Sequence, residues 1–285
     1  MIKSINKFCA IVILIPFLNT VCLAQDSIPS FPDIRLQNRS YIHFAPGADR
    51  IVLRDFATSP LFYRGYMASF TLGASRILPF RESELRLRAG AGYFEGVQSL
   101  RIYTYNVQFD HLWKVPKFSS QRLKTGLGFM ADVTTFERRN LAFGNNNYGL
   151  DFLSTIFLTA RSEFSIDRKS AKHVKFWFIN YHLKPVQRDL RLQVAVSALN
   201  SSYRNGFNHL RGGAYPGTTL ITDYELRAHS GFRLATNLAY TRHLRNGNGL
   251  RLAYIWDANS NPGVYEKLEV AQHTIQFTFL FRANN

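Results

Sequence analysis

The chain has 285 residues, enough for one large domain or two small ones, and carries 35 Lys and Arg against 19 Asp and Glu, a net charge of +16. Mean hydropathy is −0.14. No stretch after residue 24 has the roughly 20 apolar residues of a membrane-crossing helix, which excludes a helical membrane protein. A barrel hides its membrane surface in alternation, so an ordinary average leaves a β-barrel open.

Residues 1–24 read as an export signal. Lys3 and Lys7 form a positive start, residues 8–17 an apolar core, and Cys22-Leu23-Ala24 a cleavage site before Gln25. Lipidation of Cys22 is the lesser reading, because Val21 is bulkier than the residue a lipobox normally carries there. Cys9 and Cys22 are the only cysteines. A mature chain without them has no thiol catalysis and no Cys-ligated metal. It must be held by burial or by a closed hydrogen-bond ladder. Export also argues against nucleic acid as the partner of so basic a chain. Anionic lipid headgroups, lipopolysaccharide phosphates and anionic solutes remain, beside a simply solvated basic surface.

Residues 25–60 carry Pro29, Pro32, Pro46 and Pro60 and read as an extended N-terminal segment with one strand near 39–44. Alternating stretches then follow at 61–75, 84–93, 100–113, 123–136, 148–164, 174–183, 190–199, 218–227, 232–243, 250–256 and 268–281. In 84–93, Leu85, Leu87, Ala89, Ala91 and Tyr93 share one face, and Arg86, Arg88, Gly90 and Gly92 the other. Most stretches match the 9–11 or so residues needed to cross a membrane as tilted strands, longer than the usual five or six or so of soluble sandwiches. Asn246-Gly247-Asn248-Gly249 is a strong hairpin signal. Long and short connections do not alternate cleanly. Aromatics near stretch ends, Tyr66, Tyr93, Trp113, Trp177 and Tyr254 among them, suggest girdles at two membrane interfaces.

The last stretch, HTIQFTFLF at 273–281, places Ile275, Phe277, Phe279 and Phe281 on one face. With the export signal and the cysteine-free mature chain, it resembles the closing strand of bacterial outer-membrane β-barrels. One departure is that Arg282-Ala283-Asn284-Asn285 follow Phe281, where the class typically ends on Phe. The resemblance implies an all-β, transmembrane antiparallel up-and-down barrel over 61–285. About twelve strands are expected, with ten as the fallback, since even numbers are usual. It also implies residence in the outer membrane, and partners among outer-membrane lipids, lipopolysaccharide and the barrel assembly machinery.

Chemistry is sparsely signalled. No Ser-x-His or His-x-Ser places a nucleophile and base on one strand face; His229-Ser230, followed by Gly231-Phe232, is the nearest match. No metal or cofactor motif has a sensible context, and His209 and Arg211 read as loop. Arg86, Arg88, Arg191 and Arg251 fall on polar faces and should point into the lumen. Facing water, they would give a pore a preference for anions; paired with Asp and Glu, they would fill it. Glu84, Glu95, Asp110, Glu137, Asp151 and Glu163 are available as partners. The expected function is a barrel without enzymatic activity, in envelope integrity or passage of small solutes. The alternatives are a lipid-modifying enzyme using a Ser/His pair and an exported soluble β-sandwich that binds a ligand.

Overall fold

The computed structural model describes residues 38–56, 59–95, 99–120, 122–139, 148–177, 179–205, 224–262 and 267–283. The export signal, residues 25–37, His209 and Arg211 lie outside them. The strands are β1 (Arg39–Asp55), β2 (Ser59–Ile77), β3 (Arg81–Glu95), β4 (Leu100–Lys114), β5 (Leu123–Arg139), β6 (Tyr148–Ser165), β7 (Lys172–Phe176), β8 (Ile179–Leu183), β9 (Arg188–Asn205), β10 (Tyr224–Arg227), β11 (Phe232–His243), β12 (Gly249–Asn261) and β13 (Leu268–Ala283). Strands β1 to β6 pair in order, β6 pairs with β9, and β9, β11, β12 and β13 continue the sheet back to β1. Every pairing is antiparallel, from Ser40↔Ala283 on one side of β1 to Arg39↔Ile77 on the other. The ring is a closed ten-stranded barrel, and closure leaves no sheet edge for lipid to desolvate.

Ten strands, the fallback number, come from the twelve expected stretches for two physical reasons. Stretch 174–183 falls within the paired strands β7 and β8, which form their own two-stranded sheet while β6 pairs directly with β9. The described part of 218–227 is β10, which pairs with β9 along the edge β11 also uses. Between β10 and β11 the backbone kinks through positive φ at His229 (55°) and Gly231 (82°), so the two are successive pieces of one path.

The barrel also starts earlier than residue 61. Strand β1 runs straight through Pro46 to Asp55 and is paired on both sides. Proline has no N–H to give, and the β1–β13 register passes from Phe44 to Gly47 without pairs at Ala45 and Pro46. The rest of a seventeen-residue strand holds the interruption in place.

The two faces of the ring are inverted relative to a soluble protein. Outward residues include Leu72, Leu87, Val107, Leu158 (66% exposed) and Ile275 (62%), while inward ones include Asp49, Asp110, Arg161 and Gln193, all buried. A contiguous apolar belt of this kind needs a hydrocarbon solvent. On β2 the belt runs from Tyr66 to Ala74, flanked by exposed Arg64 and Arg76. At about 3.3 Å per residue and a tilt of about 40°, those residues climb about 20 Å, close to the apolar height of an outer membrane. The soluble sandwich is thereby ruled out.

Tyr93 and Trp113 face outward near strand ends, as girdle residues do, and Tyr66 faces outward at the edge of the apolar belt. Tyr63 instead lines the lumen at 1% exposure, and Trp177 stands outside the ring beside β7.

Candidate functional site: the lumen

The inward faces of the ring build the candidate site. Its distal end carries the connections after β1, β3, β5 and β12; the terminal end carries Arg39 and Ala283. At the distal end, Asp55 (β1), Arg138 (β5), Asp151 (β6) and Arg204 (β9) close a ring of ion pairs. Arg204 donates to Asp151 Oδ1 (2.8 Å) and to Asp55 Oδ1 (2.8 Å). Arg138 pairs with Asp151 Oδ2 (2.9 Å) and donates to Asp55. Strands β1 and β6 are opposite each other in the barrel, so this ring spans the lumen. All four residues are at most 5% exposed.

Beneath it lies an apolar plug. Ile51, Leu53, Tyr63, Met67, Phe94, Leu100, Ile102, Phe136, Leu153, Leu268 and Val270 form one buried cluster, contributed by seven of the ring's strands. Each such side chain stabilises by about 1.5–3 kcal/mol when buried. The plug puts a hydrocarbon layer across the lumen, which opposes the passage of water and ions.

The terminal half is polar and cross-braced. Arg88 on β3 donates to Asp49 on β1, and its Nη2 also reaches Ser69 Oγ and Thr274 Oγ1 (both 3.1 Å). Arg233 on β11 reaches Asp132 on β5 (2.5 Å) and Asp257 (2.7 Å). Arg161 on β6 donates to Glu82 on β3 (2.6 Å) and to Gln193 (2.9 Å), and Gln193 in turn to Asp110 (3.0 Å). Among these groups sits a hollow of about 90 Å³, bordered by Asn237, Asn259, Arg86 and Arg88. Its size and polarity suit a few water molecules.

The four lumen arginines are placed as follows. Arg86 bonds Asp110 (2.5 Å) and lies 3.9 Å from Glu84. Arg88 is held by Asp49. Arg191 pairs with Glu163 (3.0 Å) and Glu82 (3.4 Å). Arg251 Nε donates to Thr241 Oγ1 (3.1 Å); among the described residues no carboxylate is within salt-bridge distance of it. Of the acids available as partners, Glu84, Asp110, Asp151 and Glu163 enter these networks, whereas Glu137 pairs with Arg139 on the outward face.

His229 and Ser230 do not come together as a nucleophile and base. His229 is exposed at the kink, while Ser230 is 5% exposed, its hydroxyl accepting from Ser202 (3.1 Å) and its carbonyl from Asn200 (2.5 Å). A different pair does meet. Ser83 on β3 and His111 on β4 are direct cross-strand partners on the outward face, with Ser83 Oγ 2.8 Å from His111 Nδ1. Phe109, Trp113 and Phe129 pack around the imidazole. A search along single strands cannot find two residues 28 positions apart; only the β3–β4 register reveals them.

Closed ring, apolar exterior and polar interior define the class: this is a transmembrane β-barrel of the bacterial outer-membrane type. No protein-family model and no curated protein matches the chain. Among solved structures it is similar to the translocator domain of autotransporter NalP from Neisseria meningitidis, at 8% identity over 85% of this chain and 88% of that one, with a TM-score of 0.37. It is also similar to the transport unit of the autotransporter AIDA-I from Escherichia coli, at 8% identity over 87% and 90%, with a TM-score of 0.40. Neisserial surface protein A matches at 9% identity over 84% and 97%, with a TM-score of 0.34.

Proposed function

We propose that the barrel is a sealed, non-enzymatic component of the outer membrane acting in envelope integrity. The observation that carries this reading is the ion-pair ring of Asp55, Arg138, Asp151 and Arg204 lying over an apolar plug. Three of the four lumenal arginines named above are neutralised by carboxylates, which removes the positive field an anion pore needs.

Export through the 1–24 signal and insertion by the barrel assembly machinery accord with this residence. On the distal rim Arg50 stands opposite Tyr66, and Arg101 opposite Tyr93, all exposed. That combination suits lipopolysaccharide phosphates above an aromatic girdle. Deleting the gene is expected to sensitise cells to detergents and bulky antibiotics while leaving uptake of small anions unchanged. Unchanged sensitivity together with impaired anion uptake would favour solute passage instead.

A second reading, a lipid-modifying enzyme, is favoured by one contact. Ser83 Oγ beside His111 Nδ1 on the lipid-facing surface is arranged for attack on an acyl ester: the hydroxyl proton passes to the imidazole and on to the lysophospholipid alcohol that leaves as the ester C–O bond breaks, and water then hydrolyses the acyl-serine and releases the fatty acid. Purified barrel mixed with phospholipid micelles tests it. Fatty-acid release abolished by Ser83→Ala would establish it, and no release from the unaltered protein would eliminate it.

A further inference from the structure

We infer that the β7–β8 hairpin is an anionic-phospholipid docking element on the inner leaflet of the membrane the barrel spans. This rests on the outer-membrane reading above. The hairpin hangs from the terminal end of the ring, between the last residue of β6, Ser165, and the first of β9, Arg188. An even number of strands leaves both chain ends on one side. A barrel that inserts from the periplasm keeps that side in the periplasm, where connections are normally short turns. This one occupies residues 166–187 and contains its own sheet, so it is there for a purpose other than closing the ring.

Three features identify what it touches. The first is charge: residues 166–188 carry six Lys and Arg and one acid, Asp167. Asp167 is engaged locally, accepting from Ser165 Oγ (3.0 Å) and from the Arg188 amide (2.8 Å). Lys169, Lys172, Lys175 and Lys184 are exposed. The second is Trp177, which follows β7 at the turn, is 85% exposed and has φ 56°. Tight turns favour Gly or Asn at positive φ, and a bulky residue there is strained. An outlier of this kind, holding an indole out from a basic hairpin, points to a role for the indole. The third is stability. A lone two-stranded hairpin is marginal in water, so a surface under it is part of its folding.

The two arms at the base of the hairpin continue the β6–β9 pairing beyond the ring. Ile166 N donates to Arg188 O (2.9 Å), and Arg168 and Val186 exchange both backbone bonds (3.0 Å each). The twelve residues from Ser165 to Trp177 span about 40 Å at most, enough for the indole to reach the headgroup layer next to the barrel. Lysines attracted to anionic headgroups and an indole seated at the interface are the two interactions that such a surface rewards. A peptidoglycan partner would use the same charge but would give the indole no hydrocarbon to enter.

The test uses the full-length barrel with Trp113→Phe and Trp256→Phe, leaving Trp177 as the only tryptophan. It is reconstituted in phosphatidylcholine vesicles with and without phosphatidylglycerol, and a heat-dependent gel shift first establishes that the barrel is folded in each. The expected result is a blue-shifted Trp177 emission, quenched by bromine-labelled acyl chains, in the phosphatidylglycerol vesicles and reversed by salt. Each lysine of the set Lys169, Lys172 and Lys175 replaced by Gln should lower the docked-to-undocked ratio about fivefold. Water-like emission in both vesicle types, from barrel that shows the gel shift, would overturn the inference. So would equal quenching with and without phosphatidylglycerol. Absence of the gel shift would count against the membrane barrel itself, a separate failure.

Discussion

Asp55 pairs with Arg138 and Arg204 across the barrel, and Asp151 pairs with the same two arginines from the neighbouring strands, so neutralising either aspartate leaves two buried guanidinium charges with one carboxylate between them. Asp151→Asn is expected to destabilise the folded barrel by about 3–5 kcal/mol, the usual cost of breaking a buried pair. The urea midpoint in detergent micelles measures it. Replacing an exposed connection residue such as Lys117 should change the stability read from that curve by under about 1 kcal/mol. At this scale the sequence was half legible. Arg86, Arg88, Arg191 and Arg251 could be assigned to a polar face because alternation fixes which neighbours share a side. Their partners could not, since pairing runs between strands. Asp49, the carboxylate that holds Arg88, lies in a segment whose prolines disguise a barrel strand. Ser83 and His111 were hidden for the same reason.

Individual strands depend on close approach as well as alternation. A Cβ added at Gly128 would lie 2.0 Å from the backbone oxygen of His111 on the neighbouring strand β4. Gly128→Ala therefore forces β4 and β5 apart and should cost about 1–3 kcal/mol, read from the same urea curves. No effect would mean the two strands are less tightly apposed than described. Element identity was largely readable where alternation was long, as in β3 and β13. It failed where an alternating run did not add a strand to the ring. The β7–β8 sheet has the composition of a membrane strand, and only the direct β6–β9 pairing shows that it stands outside. A kink of two positive-φ residues joins β10 to β11, which no periodicity signals.

At the scale of the molecule, closure of the backbone ladder and filling of the lumen are separate properties with separate tests. Closure predicts a protein that stays folded in detergent until boiled and then migrates differently on a gel. Filling predicts the electrical behaviour. The distal ion ring, the apolar plug and the braced polar half leave a hollow of about 90 Å³. Sequence alone left filled and open lumens equally supported, because both put arginines inside; the pairing of those arginines supports the filled lumen proposed above. The direct measurement is single-channel recording of the purified barrel in a planar bilayer, after the gel shift has shown it to be folded. The sealed barrel predicts no stepwise current above the lipid background at moderate voltage. Regular, anion-selective steps that shrink when Arg86 and Arg88 are replaced by neutral residues would contradict it.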